Sequence, residues 1–555
     1  MRKSAALLLC LLLLLPATPQ AYADAYHAKP KLVIILVLDQ FRGDLPVRYS
    51  DDFKTPNGFN LFLKRGAYFT DCYYDYANTM TAPGHSTIGT GAYTDGHGIS
   101  LNEWWDLKRS PTHVITSVED ERYATVGDPN SKDVGASPRN ELASTLGDEV
   151  VLATQGKAKL FGISLKDRAA ILTSGHASNG AFWLDHASGK FVTSTYWETK
   201  LPPWAQAFND SDRAARAMAE AKARPGRFYD DVGASPASVS YLFDFAKSLV
   251  TGEKMGRHDV TDVLTISISS TDILGHKVGP DSPEQRAMID AIDVHMNDFF
   301  TWLDKNVDGG MANVWVALTA DHGVAPVPAV AAKMGIPAAN IDVAKWTAAL
   351  NAALNQRFAP GQNLKFILGG EMPYIELDYR LFDNLKVSEK DAEDAAAELL
   401  PAAVESTLTP FPAGTSDTRL PTRHIIRRVY TRVQMASGQI PATEEGRLIL
   451  HSYSPNGGWY IMVTPGMYQV AGGGASGTNH FAPYSYDRHV PLGFYGSAFI
   501  PGFYHDRVAP VDIASTFASL LRINQPSAAV GRVLTMALRP ETAATPHTPA
   551  KAPAK

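Results

Sequence analysis

Three apolar runs in this chain end in an aspartate. Residues 31–38 read KLVIILVL and stop at Asp39. Residues 263–270 (VLTISISS) run into Thr271-Asp272, and residues 313–319 (NVWVALT) into Ala320-Asp321-His322. Short runs rich in branched residues fit strands buried on both faces, as in a parallel sheet under helices. Open α/β sheets place their sites outside the carboxyl ends of the strands, so Asp39, Asp272 and Asp321 are expected on one sheet edge. Three carboxylates buried together would repel one another and stay poorly solvated. Two divalent cations would relieve this. The pattern predicts an α/β fold with a central, mostly parallel sheet flanked by helices, and a dinuclear metal centre at its edge.

The donors for such a centre are restricted. Arg2-Lys3, the apolar run 5–15, Pro16 and Ala21-Tyr22-Ala23 form a secretory signal peptide, cleaved after Ala23. This predicts a periplasmic or secreted protein with no membrane anchor. Cys10 lies inside the run, so Cys72 remains alone after cleavage. A lone cysteine forms no internal disulfide and is expected to be buried. Thiolate-only metal sites are thereby excluded. Asp, Glu and His remain, a set that suits zinc or manganese. The net charge of −6 gives no reason to expect nucleic acid as a partner.

Residues 78–91, NTMTAPGHSTIGTG, supply a candidate nucleophile. Thr81 precedes Ala82-Pro83, and Pro and Thr are both favoured where helices begin. A helix N-terminus also attracts anions. From this stretch alone, Thr81 is either a cap or a reactive hydroxyl. Asn102 is either a turn residue or a donor to an oxyanion. Residues 159–165 read as another strand, followed by Lys166-Asp167-Arg168; on an extended strand end, the two cations would point to one side. They are either surface charge or an anion clamp. Asp272 and His276, four apart, could reach one metal. In the glycine-rich stretch 472–481, His480 is the candidate last ligand, with His489 as second choice.

From 324 to 474 the pattern changes. Strands are expected at 374–377, 425–433, 447–450 and 459–464, and a helix at 388–400, as in a small α+β insertion. The catalytic core is expected over 24–323 and 475–538, with a strand at 490–495, a helix at 511–521 and a disordered tail over 539–555.

The blocks T-A-P-G-H, H-G-I-S-L-N, L-K-D-R, D-I-L-G-H, A-D-H-G and G-T-N-H occur in this order. Through them the chain resembles the alkaline phosphatase superfamily. Within it, the resemblance is to the atypical, phosphate-irrepressible bacterial enzymes with a Thr nucleophile, relatives of the nucleotide pyrophosphatase/phosphodiesterases. The resemblance implies a three-layer sandwich and two Zn2+ per chain. Asp39, Thr81, Asp321 and His322 would hold one ion; Asp272, His276 and His480 would hold the other. Thr81 would be the nucleophile, and Asn102, Lys166 and Arg168 would contact the phosphoryl oxygens. A Lys and Arg pair marks the monoesterases of this group, so the expected activity is a phosphomonoesterase acting, as a monomer, on small phosphate monoesters. The rivals are a phosphodiesterase on the same metal site and a noncatalytic exported module that binds metal or phosphate. A sulfatase is disfavoured because no C-x-P-x-R block surrounds Cys72.

Overall fold

The computed structural model describes residues 25–131, 133–407, 425–472 and 477–540. The expected signal peptide, most of the expected tail and part of the glycine-rich stretch lie outside them. Eleven strands form the main sheet. In chain order they are β1 (Leu32–Leu38), β2 (Ala67–Phe69), β3 (Glu119–Val126), β4 (Val134–Ala136), β5 (Leu160–Ser164), β6 (Gly180–Leu184), β7 (Phe191–Ser194), β8 (Asp262–Ile268), β9 (Val314–Thr319), β10 (Leu492–Tyr495) and β11 (Gly502–Tyr504). Their spatial order is β11-β2-β10-β9-β1-β8-β5-β6-β7-β3-β4.

The heart of the sheet is parallel. β9, β1, β8, β5 and β6 are consecutive neighbours that run the same way. All of β1, β5, β6, β8 and β9 is buried, as continuous apolar runs require under two layers of helices. β10 pairs antiparallel with β9, and β7 antiparallel with β6, so the flanks are mixed. The helices fall into two packed groups. One contains α1 (Thr81–Thr90), α2 (Asp167–Ser174) and the helix Asp512–Leu521; the other contains α3 (Ser270–Val278), Ala237–Glu253 and Pro283–Asn306.

A second, four-stranded antiparallel sheet is built from Ile367–Glu371, Tyr374–Leu377, Trp459–Pro465 and Ile426–Thr431. Its side chains alternate between two cores, as strand pleating dictates. Ile375, Ile461 and Val463 pack with the helices Val343–Phe358 and Glu389–Thr407. Tyr374, Tyr460 and Met462 pack on the other side with Met80, Ala82 and Trp104. The second sheet therefore rests on the segment that carries Thr81.

Several expected elements differ. Residues 447–450, expected as a strand, lie in the helix Glu444–His451, which Thr443 caps by accepting from the Gly446 N–H. The strand expected at 425–433 ends at Thr431, where Thr431 and Gln434 form a capping box for the helix Arg432–Ala436. Lys166 and Arg168 lie beyond β5, not on it. Lys166 is the N-cap residue of α2, and Arg168 stands in the first turn of that helix.

Candidate metal centre and phosphate site

The parallel register sets the site. β1 pairs with β8 along its whole length and with β9 from Leu32 to Val37, so Asp39 emerges between the ends of its two neighbours. Asp321 and His322 follow β9, and Asp272 lies in the first turn of α3, directly after β8. Asp39, Asp321 and His322 are fully buried and Asp272 is 4% exposed, too little for water to solvate them. Helix α1 approaches the end of β9 so closely that a Cβ on Gly84 would lie 2.3 Å from the carbonyl oxygen of Asp321. This brings Thr81 to the same edge. The cap of α1 is Met80, in extended conformation and without a side-chain cap bond, and Thr81 is the first helical residue. The Thr81 hydroxyl is not spent on capping.

Two sets of donors converge. Asp39, Asp321 and His322 have ligand atoms within 4.8 Å of one another, as do Asp272, His322 and His480. The second trio contains His322 where His276 was expected. His276 Nε2 lies 3.0 Å from Asp272 Oδ1, on the rim of that trio. His489 is elsewhere: its ring stacks on Tyr73 and its Nε2 faces the Thr70 carbonyl at 3.0 Å.

The histidines carry a legible proton pattern. Nδ1 of His276, His322 and His480 faces the carbonyl oxygens of Thr478 (3.0 Å), Gly323 (2.9 Å) and Thr79 (2.5 Å). A carbonyl can only accept, so each Nδ1 carries a hydrogen; Nε2 of His276, 3.0 Å from Asp272 Oδ1, also donates while its ring is charged, and a neutral ring presents a lone pair at Nε2. That is the tautomer a metal requires, with the outer-shell carbonyl that usually accompanies it. Asp321 is pinned in a similar way. Its Oδ1 accepts from the backbone N–H groups of Gln40 (3.0 Å) and His322 (2.9 Å), while Oδ2 is buried without an aligned hydrogen bond. His322 Nε2 and Asp39 Oδ1, 3.6 Å apart, are likewise buried and without a hydrogen bond among the described residues. Orphaned carboxylate and imidazole atoms aimed at one point, with no thiolate among them, fit a borderline divalent cation such as zinc.

Charge in this cluster is unevenly held. Burial, then the neighbouring Asp272 and Asp321 carboxylates, push the Asp39 carboxyl well above the usual carboxylate range. Burial acts the same way on Asp272, but His276 and Lys166 outweigh it and hold that carboxyl well below the range. Burial lowers His480, and the neighbouring His322 and His276 rings lower it further. Neutral His480 is the form that can donate a lone pair.

The phosphate-site candidates gather over the same point. Lys166 Nζ lies 2.6 Å from Asp39 Oδ2, 2.6 Å from Asp272 Oδ2 and 3.3 Å from Thr81 Oγ1. Burial opposes its charge, and the two carboxylates override this and keep the ammonium protonated. The Ala82 backbone N–H donates to Asn102 Oδ1 at 2.9 Å. This fixes the amide orientation and leaves Asn102 Nδ2 free to donate elsewhere. Arg168 Nε is buried without a partner.

Three nearby residues were not singled out from the sequence. Gln40 follows Asp39 directly and touches both donor sets. His85, one turn after Thr81, directs Nδ1 to the Thr81 carbonyl at 2.8 Å and lies 3.3 Å from Asp321 Oδ2. Its i,i+4 spacing from Thr81 was a readable signal. Tyr229, in a π-helical turn, feels the charges of Lys166, Arg168, Asp272 and Asp39, and nothing in its local sequence marks it.

The model of type I phosphodiesterase / nucleotide pyrophosphatase matches residues 33–472, most of the chain. This protein belongs to that family. Among related members of the alkaline phosphatase type, PafA of Elizabethkingia meningoseptica is 31% identical over 546 residues, 91% of this chain and 94% of PafA. PhoV of Synechococcus elongatus is 29% identical over 92% of this chain and 94% of its own length. The crystal structure of wild-type PafA superposes with a TM-score of 0.81 at 30% identity, covering 92% of this chain and 99% of that one. A solved variant of PafA, altered at one threonine, one asparagine, one lysine and one arginine, gives a TM-score of 0.80 at 28% identity. In this chain the fold carries the two donor sets at the carboxyl edge of its parallel strands.

Proposed function

We propose that this protein is an exported, metal-dependent phosphomonoesterase, an alkaline phosphatase, that turns over through a phosphothreonine on Thr81. The observation that carries the reading is the position of Lys166 Nζ, within 3.3 Å of the Thr81 hydroxyl and 2.6 Å of a carboxylate from each donor set. A nucleophile, a cation for the phosphoryl group and two sets of metal donors thus share one point. The named relatives are alkaline phosphatases. The four residue types altered in the PafA variant are those that gather here as Thr81, Asn102, Lys166 and Arg168.

Asp39, Asp321 and His322, with Thr81, would hold one zinc; Asp272 and His480, with His276 at their rim, would hold the second. What zinc supplies when bound is positive charge, which neutralises the buried acids and makes a hydroxyl easier to deprotonate. The other steps belong to the chain. Thr81 Oγ attacks phosphorus in line with the leaving oxygen, forming one P–O bond as the ester P–O bond breaks. Water then attacks the phosphothreonine, and Thr81 regains its proton as inorganic phosphate leaves. Asn102 Nδ2, Lys166 and Arg168 cover the nonbridging oxygens. A monoester dianion carries one more charge than a diester, so two cations at that place favour the monoester.

One chain supplies every donor, so the reading requires no second copy. No described helix is long and apolar enough to cross a membrane; export would rest on the leader read at residues 1–23. We assign residues 24–323 and 475–538 to the catalytic core and 324–474 to an insertion. A second reading, phosphodiesterase, is favoured by the family model itself. Rates on a monoester and a diester with the same leaving group, measured on zinc-loaded protein with and without chelator, decide between them. Faster diester cleavage would overturn the monoesterase reading. Chelator-insensitive cleavage would overturn the metal-dependent one.

A further inference from the structure

Two unfavourable features meet at Gln40. Its backbone has φ 62, in the left-handed region that side chains other than glycine rarely adopt. Its amide oxygen is buried without a hydrogen-bond partner among the described residues. Packing of the sheet explains neither feature. What the conformation achieves is contact with both donor sets. The side-chain Nε2 donates to Asp272 Oδ1 at 2.8 Å and faces His276 Nε2 at 3.2 Å. The Gln40 backbone N–H donates to Asp321 Oδ1 at 3.0 Å. Helix α3 makes room for this arrangement: a Cβ at Gly275 would stand 2.3 Å from Gln40 Oε1. A glycine inside a helix is itself unfavourable, and here it leaves space for the amide.

We infer that Gln40 is a positioning residue of the metal centre, setting Asp272 and His276 on α3 at a fixed spacing from Asp321 after β9. The inference rests on the metal-dependent reading given above. It does not make Gln40 a ligand or a catalytic residue. A hydrogen bond to a metal-site carboxylate, such as the one Gln40 gives Asp272, orients it, and loss of such an outer contact weakens metal binding about 10–100-fold.

Gln40→Gly is the informative variant, because glycine accepts the left-handed backbone and keeps the N–H to Asp321 while removing the amide. Gly275→Ala approaches the same contact from the other side by displacing the Gln40 amide. For the full chain, zinc affinity is read by competition with a chromophoric chelator. The ligand field is read from the visible spectrum of the cobalt-substituted protein, and metal-free stability by urea unfolding. The expected result is zinc affinity about 10–100-fold weaker in Gln40→Gly, a shifted cobalt spectrum, and a metal-free unfolding midpoint equal to or above that of the parent. Gly275→Ala should move affinity and spectrum in the same direction. Zinc affinity within about twofold of the parent with an unchanged cobalt spectrum would overturn the inference. So would loss of metal-free stability with affinity intact, since the role would then be structural. A parent protein that takes up no zinc sinks the functional reading instead, before any variant is compared.

Discussion

Replacing Lys166 with alanine removes a buried cation on which three groups depend. Its Nζ is 2.6 Å from each of two buried carboxylates and 3.3 Å from the Thr81 hydroxyl. Breaking a buried ion pair by deleting one partner costs about 3–5 kcal/mol, because the remaining charge has nothing to offset its lost hydration. Losing one contact to the transition-state oxygens costs about 2.7–4 kcal/mol, roughly 10²–10³ in rate. The two losses separate experimentally. In chelator-treated protein, Lys166→Ala should unfold at lower urea by an amount near the first figure. In zinc-loaded protein that deficit should shrink, because the dications neutralise Asp39 and Asp272, while kcat/KM for a phosphate monoester stays down by the second figure. The loss on a diester of the same leaving group should be smaller, since the diester carries one charge fewer. Metal-free stability equal to the parent would refute the electrostatic account of Lys166. Equal rate losses on the two esters would refute its role in recognising the dianion.

Thr81→Ala should abolish turnover and the acid-stable protein-bound phosphate seen on rapid quench; a normal burst in that variant would exclude Thr81 as nucleophile. Gly84→Ala should destabilise the protein and impair zinc uptake, because the added methyl meets the Asp321 backbone at 2.3 Å; an unchanged melting temperature would show that α1 can move aside. Glu371, near Glu103 and Arg168, has its carboxyl pushed up to about 8, first by burial and then by the Glu103 charge. A raised carboxyl pKa means the folded state holds a proton the unfolded chain has lost. Its stability contribution is therefore full below about pH 4.5 and falls as pH rises through about 8. Glu371→Gln should leave stability near pH 5 unchanged and raise it at pH 9, as read by urea unfolding at the two pH values; a parallel shift at both would contradict this assignment.

The heart of the fold was legible because burial on both faces leaves a continuous apolar run, and an aspartate after such a run has few reasons to be there except the sheet edge. That logic placed Asp39, Asp272 and Asp321 on one edge before any coordinates. It did less well where the signal was short. Residues 447–450 present too few positions to separate a period of 2 from one of 3.6, and the longer context of Glu444–His451 is needed to read a helix. The pairing of Lys166 with Arg168 rested on strand alternation, yet what aims Lys166 is its place at the N-cap of α2. His322 lies between the two donor sets, its ring stacked on that of His480 at 3.7 Å, and His276 stands beside Asp272 at 3.0 Å. Gln40 was visible beside Asp39, but its left-handed backbone is a tertiary outcome with no local sequence cue.

The residues that meet at the sheet edge come from positions 39 to 480, nearly the full span of the polypeptide. A fragment that ends before residue 480 contains Asp39, Asp321 and His322 but lacks His480. Synthesis must therefore run almost to its end before the second donor trio exists. Completion of the donor cluster is in this sense tied to completion of the polypeptide, since any fragment ending before residue 480 lacks one member of it.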